Sequence, residues 1–219
     1  MTIVHHLNNS RSQRVLWLLE ELDVPYEIKR YQRDPKTMLA PPELLKVHPL
    51  GKSPVITDDG VTVAETGAIV EYILDRWGNG RMAPSATIDK LRYTYWLHFA
   101  EGSAMPPLVM TLLFTELPKR TPFFLRPVVA AVCGRAQSSF LNPQIARQLD
   151  LMESELGRGD WFAGSEISGA DVMMSFPVEA AANRFGLRER PNLKRWLAAI
   201  HARPAYAEAL EKGGPYAYA

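Results

Sequence analysis

Hydrophobic positions change their period along this chain. Ile3 and Val4 begin a short strand-like stretch over residues 2–7, which Asn8, Asn9 and Ser10 break with turn and cap chemistry. Over residues 14–22, Val15, Leu16, Leu18, Leu19 and Leu22 recur at helical spacing and predict a helix with one broad buried face. Asp23, Val24 and Pro25 end it, and residues 26–31 alternate as a second strand. Strand, helix and strand of these lengths make one βαβ unit with parallel strands. Residues 33–49 are irregular, with prolines at 35, 41, 42 and 49. Pro54-Val55-Ile56-Thr57 and Val61-Thr62-Val63-Ala64 flank Asp58-Asp59-Gly60, which predicts a hairpin. Ile69, Val70, Ile73, Leu74 and Trp77 then share one helical face over residues 65–77.

After Gly78-Asn79-Gly80 the pattern becomes helical throughout. Residues 79–86, containing Pro84, read as a linker between a domain at 1–78 and a second at 87–219. Ile145, Leu149, Met152 and Leu156 keep helical spacing, as do Leu193, Trp196, Leu197 and Ile200. Pro118, Pro122 and Pro127 leave the helix breaks around them open. Ser168-Gly169-Ala170-Asp171 reads as a capping box, with Ile167 and Val172 at the positions of a hydrophobic staple. The fold class is therefore α+β in the first half (β-α-β-loop-β-β-α) and all-α in the second, with no internal repeat.

Composition narrows the function classes. The chain has 219 residues, 47% of them hydrophobic, with 25 Lys+Arg against 24 Asp+Glu. No long basic run marks it for nucleic acid. No apolar stretch is long enough for a bilayer span. The apolar run over residues 128–133, between Arg126 and Arg135, is expected to be helix core, a membrane-surface contact being the lesser alternative. A lone cysteine, Cys133, forms no internal disulfide, and the N-terminus lacks a secretory pattern, so a cytoplasmic location is expected. His5-His6 has no partners at metal spacing, and no phosphate loop or dinucleotide fingerprint occurs, so neither metal nor nucleotide is expected.

Three segments of the first half carry chemistry. Asn9-Ser10-Arg11-Ser12 joins the first strand to the first helix. His48-Pro49-Leu50-Gly51-Lys52-Ser53-Pro54 precedes the third strand. Ala64-Glu65-Thr66-Gly67-Ala68-Ile69 opens the last helix of that half. With these segments the chain resembles the cytosolic glutathione transferases over nearly its whole length. Within them it looks nearest to bacterial and fungal members that share the Leu7-Asn8-Asn9-Ser10-Arg11-Ser12 start, with Ser10 where theta- and delta-like enzymes carry a serine. The resemblance implies a thioredoxin-like first domain, a helical second domain, glutathione as co-substrate and a homodimer.

It also implies residue roles, each beside an ordinary alternative. A hydroxyl at a helix start stabilises a thiolate by hydrogen bonding and by the helix dipole, which suits Ser10. Asn9 and Ser12 are alternates, Arg11 adds positive potential, and a plain cap remains open for Ser10. Ser53-Pro54 is expected to be cis, presenting the Ser53 backbone to the cysteinyl part of glutathione, against a trans proline opening an edge strand. Lys52 suits the glycyl carboxylate or is solvated. Thr66 suits the γ-glutamyl carboxylate and Glu65 its ammonium, or both serve as first-turn residues. Tyr93, Trp96, Phe99 and Met105 to Leu108 are candidates for a pocket taking a small hydrophobic electrophile, although such a stripe also reads as core. By analogy with acidic residues in some members of that family, Glu101 and Ser103 are candidates to approach a partner subunit's glutathione, and whether either does stays open. The implied activity is conjugation of glutathione to small apolar electrophiles. A glutathione-dependent peroxidase, a non-enzymatic binding module and a Cys133-based thiol-disulfide oxidoreductase are the alternatives.

Overall fold

The computed structural model describes residues 1–218. Its first half is a four-stranded mixed sheet in the order β2-β1-β3-β4. Strand β1 (Thr2–Leu7) pairs in parallel with β2 (Tyr26–Tyr31), from Thr2 opposite Tyr26 to Leu7 opposite Tyr31. Between them runs α1 (Ser12–Glu21), the crossover a parallel pair requires. Strand β3 (Val55–Asp58) is antiparallel to β1 and forms a hairpin with β4 (Val61–Ala64). At its turn Asp59 and Gly60 take φ of 45° and 84°, the left-handed pair that matches strand twist and makes Asp-Gly favoured there. Helix α2 (Thr66–Trp77) buries Ile69, Val70, Ile73 and Leu74, and Trp77 packs partly buried beside them.

The second half is helical, as its spacing predicts. In order come α3 (Thr87–Phe99), α4 (Met105–Glu116), α5 (Arg126–Ala136), α6 (Asn142–Leu156), α7 (Gly169–Phe185), α8 (Pro191–His201) and α9 (Pro204–Gly213). Single wide turns at Ala100–Ala104 and Gln137–Leu141 join α3 to α4 and α5 to α6. Of the prolines that obscure the breaks, Pro118 opens a short 3-10 turn after α4 and Pro127 sits in the first turn of α5, where a missing N–H costs nothing.

Helix α7 is the axis of the second half, buried continuously from Gly169 to Ala181. Its start is the capping box that the sequence predicts. Ser168 Oγ accepts the Ala170 N–H at 3.3 Å, and Asp171 Oδ2 accepts the Ser168 N–H at 2.9 Å. Asp171 also accepts the Phe162 N–H and Trp196 Nε1–H, both at 3.0 Å.

Two expectations change. Helix α1 buries every residue from Ser12 to Leu19 rather than one face, because α7 and α9 cover the side turned away from the sheet. Residues 128–133 are helical but are not core: Val128 and Val132 are 64% and 65% exposed, and only Cys133 of α5 is buried. Helix α5 lies at the margin of the bundle, where few elements reach it.

Candidate active site

The β1–α1 connection places the first polar group. Asn9 takes φ of 48°, a conformation asparagine tolerates better than most side chains, and turns the chain into α1. Ser10 follows, 4% exposed, with its Oγ accepting the Ser12 N–H at 3.2 Å. The Ser10 and Ser12 hydroxyls share a hydrogen bond of 2.8 Å. Ser12 is fully buried, and its Oγ also meets the Leu7 N–H at 3.3 Å and His6 Nδ1 at 2.9 Å. Burial, then the nearby Arg30, pushes the His6 pKa down to about 4, against a hydrogen bond to the Gly213 backbone that raises it. Asn9 Oδ1 is occupied by the Ala217 N–H at 2.8 Å.

Arg11 and Arg14 both grip Glu101, at 2.5 Å each, so the β1–α1 region is bound to the turn between α3 and α4. Burial raises the Glu101 pKa, but Arg14 and Arg11 outweigh it, and the carboxyl sits below its ordinary value. Arg14 itself is buried and donates to the Met173 carbonyl at 2.5 Å and to Thr66 Oγ1 at 3.4 Å. Glu101 is thus engaged within its own chain, and the Ser103 carbonyl accepts Gln148 Nε2 at 2.8 Å.

The Ser53-Pro54 bond is cis. Ser53 Oγ donates to the His5 carbonyl at 2.8 Å, which pins this segment against β1. Glu65, exposed just before α2, has φ of 71°, a region that costs a non-glycine residue of order 1–3 kcal/mol and is concentrated at functional sites. Thr66 is buried beside Arg14.

A cavity of about 640 Å³ opens between the two halves of the molecule. Asn9, Ser10, Arg11, Lys52 and Ser53 line it from the first half, together with Leu7, Arg33 and the loop over residues 38–42. Met105, Leu108, Val109 and Leu112 of α4 and Phe176, Ala180 and Arg184 of α7 face them, with Tyr218. Its charged lining residues are Arg11, Arg33, Lys52 and Arg184, and no Asp or Glu is among them. The lining is otherwise largely apolar, so the cavity suits an anionic molecule lying beside a hydrophobic one.

The structure therefore brings Ser10, its alternate Asn9, Arg11, Lys52, Ser53 and Met105 to one cavity. Ser12 is sealed beneath Ser10. Glu65 and Thr66 are not lining residues, and Thr66 reaches the cavity wall only through the Arg14–Glu101–Arg11 chain. Tyr93, Trp96 and Phe99 are not lining residues either. Trp96 is 2% exposed and packs against Phe162 at 4.7 Å, and Phe99 is in the same core, because this face of α3 turns toward α7. Tyr93 packs partly buried near Gly169. Cys133 is buried in α5, away from the cavity lining.

Arg33, Phe176, Arg184 and Tyr218 carry no sequence signal of a site. The nearest one is the aromatic pair Tyr216 and Tyr218 beyond the Gly213-Gly214-Pro215 helix stop. Among the described residues no group of three His, Cys, Asp or Glu is placed to hold a metal ion, and no helix is long and apolar enough to cross a membrane.

Known proteins agree with this architecture. Residues 1–75 match the glutathione S-transferase N-terminal domain, and residues 135–199 match the glutathione S-transferase C-terminal domain. Glutathione S-transferase 3 of Schizosaccharomyces pombe is 39% identical over 215 residues, covering 97% of this chain and 88% of its own. A crystal structure of a glutathione S-transferase from Actinobacillus pleuropneumoniae superposes with a TM-score of 0.80 at 32% identity, covering 97% of this chain and 93% of the other. A glutathione transferase family member from Pseudomonas fluorescens, solved with two glutathione molecules bound, superposes with a TM-score of 0.76 at 25% identity, covering 96% and 92%. With a thioredoxin-like sheet, a helical second domain and a polar loop facing an apolar wall between them, this chain belongs to the glutathione S-transferase family.

Proposed function

We propose that the cavity holds glutathione with its sulfur at Ser10 and that the thiolate attacks a small apolar electrophile held against α4 and α7. The observation that carries this reading is Ser10, just before α1, among the lining residues of a largely apolar cavity whose charged residues are all cationic. A thiol is mostly protonated at neutral pH, and the thiolate is the nucleophile. A hydroxyl that donates to the sulfur favours the anion, and the positive end of α1 acts in the same direction. The Ser12 N–H donated to Ser10 Oγ makes that hydroxyl a stronger donor. The thiol proton passes to solvent, and sulfur then bonds to the electrophilic carbon as a leaving group departs with its bonding pair or, in an addition, as the π pair moves to the neighbouring atom, which takes a proton from solvent. Catalysis comes from stabilising the anion and from positioning the two substrates together.

In this reading the first domain, residues 1–78, binds glutathione, residues 79–86 link the domains, and residues 87–219 supply the electrophile site. Lys52 pairs with the glycyl carboxylate, and the Ser53 backbone, beside Pro54, pairs with the cysteinyl unit. Glu65 and Thr66 receive the γ-glutamyl end, beyond the lining of the cavity. Arg11 adds positive potential near the sulfur while anchored to Glu101. Met105 belongs to the electrophile wall. Helix α3 exposes Ile88, Leu91 and Tyr95 at helical spacing, an apolar face for the second copy of a homodimer. A lone buried cysteine is consistent with a cytoplasmic location.

The test is steady-state conjugation of glutathione to 1-chloro-2,4-dinitrobenzene by the wild type and Ser10→Ala. Loss of one donor to a developing anion predicts a fall in kcat/KM of about a hundredfold, with glutathione affinity nearly unchanged. Equal activity in the two proteins rules out Ser10 as the donor. Absence of glutathione binding by the folded wild type removes the functional reading itself.

A further inference from the structure

The chain does not leave the molecule after α9. Residues 214–218 turn back along α7 toward the β1–α1 loop. The Tyr216 hydroxyl donates to Glu179 Oε2 at 2.6 Å, and Glu179 is 1% exposed in the middle of α7. Asn183 Nδ2 donates to the Ala217 carbonyl at 3.2 Å. The Ala217 N–H in turn donates to Asn9 Oδ1 at 2.8 Å, next to Ser10. The segment is therefore held at two adjacent residues, Tyr216 to a buried carboxylate and Ala217 to Asn183 of α7 and to the loop that carries the serine. Tyr218 emerges from it into the cavity lining. Its ring meets Phe176 edge-on at 5.2 Å and lies 5.4 Å from Tyr216. Phe176 lines the same cavity.

We propose that the C-terminal segment, residues 214–218, is a wall of the electrophile site and that Tyr218, backed by Phe176, selects planar aromatic electrophiles. The inference rests on the reading that this cavity is where glutathione meets its second substrate. An aromatic wall offers a flat partner the offset or edge-on contacts that rings prefer, and a nitro-substituted ring, being electron-poor, gains from the electron-rich face of the ring, which phenol and phenyl both present. An alkyl electrophile gains only the burial of its area. In the reaction sulfur bonds to the ring carbon and the halide leaves with the bonding pair. Tyr218 neither gives nor takes a proton; it holds the ring in place.

The experiment compares kcat/KM for 1-chloro-2,4-dinitrobenzene with kcat/KM for an alkyl isothiocyanate. In Tyr218→Ala the ratio of the two is expected to fall about tenfold in favour of the isothiocyanate, the scale of one aromatic contact. Tyr218→Phe, which keeps the ring, is expected to hold the wild-type ratio. Tyr216→Phe cuts the tie to Glu179 and is expected to lower the ratio in the same direction. A ratio unchanged in Tyr218→Ala, or a Tyr218→Phe ratio as low as that of Tyr218→Ala, overturns the inference while leaving glutathione conjugation intact. A wild type that binds glutathione and conjugates neither electrophile overturns the underlying reading, and this inference with it.

Discussion

Ser10 and Ser12 stand two residues apart and differ in what remains free. Ser12 is closed in by the Leu7 N–H, His6 and Ser10, while Ser10 borders the cavity. One turn of backbone decides which serine can meet a substrate, and the Asn-Ser-Arg-Ser pattern does not reveal it. His6, beneath the pair, has a consequence of its own. Its folded pKa is about 4 against an ordinary 6.5, so between those values the unfolded chain takes up a proton that the folded chain refuses. Stability from this group is full above pH 6.5 and is lost as pH falls toward 4, by about 3 kcal/mol. Urea unfolding at pH 7, 5.5 and 4.5 should show that decline, and it should be shallower in His6→Asn. Arg14 shows where sequence legibility ends. A charged residue in the first turn of an amphipathic helix reads as solvated, yet Arg14 is 2% exposed, since its partners Glu101, Thr66 and Met173 come from three other parts of the chain. The cis Ser53-Pro54 bond was legible only through the resemblance to glutathione transferases; neighbouring residues alone left trans open.

The elements followed from local chemistry wherever that chemistry is self-contained. The Asp59-Gly60 turn and the Ser168-Asp171 box need no distant partner to be recognised. The faces of α3 and α5 did need one. An aromatic stripe on α3 serves equally as core or as pocket, and α7 decides for Trp96 and Phe99 by covering them. An apolar α5 looks buried until its neighbours prove sparse. The start of α7 provides the sharpest test at this scale. Asp171 has no exposure, and burial raises its pKa against the hydrogen bonds that lower it. Asp171→Ala leaves the N–H groups of Phe162, Ser168 and Trp196 without their acceptor, each worth about 1–3 kcal/mol when buried. Ser168→Ala removes one cap acceptor and should cost about 1 kcal/mol. Chemical unfolding midpoints are expected to rank wild type above Ser168→Ala, with Asp171→Ala far below both. Similar losses in the two variants would mean that the bonds from Phe162 and Trp196 to Asp171 add nothing beyond the box itself.

Across the whole molecule the two halves share one core. Val4, Leu16 and Ile69 belong to the same packed cluster as Met152, Met174 and Trp196. Polar ties reinforce it: Arg203 pairs with Glu21 at 2.5 and 2.8 Å, and Lys212 with Glu20 at 2.8 Å, so α9 is bound to α1. Trp17 meets Tyr206 edge-on at 5.4 Å across the same boundary. Unfolding either half exposes apolar surface of the other. Scanning calorimetry should therefore give one endotherm, and two separated transitions would show that the domains are energetically independent. The same shared boundary forms the cavity, with Arg11, Arg33 and Lys52 from the sheet domain and Arg184 from α7 set in a largely apolar lining from both halves. The most direct test lies in the bound sulfur itself. The ultraviolet absorbance of the thiolate, followed against pH for glutathione bound to the wild type and to Ser10→Ala, gives its pKa in each. The wild type is expected to hold it at least about one unit below the ordinary thiol value of about 8.5, and Ser10→Ala to return it most of the way. The same pKa in both proteins would contradict the assignment of Ser10 as the residue that stabilises the anion.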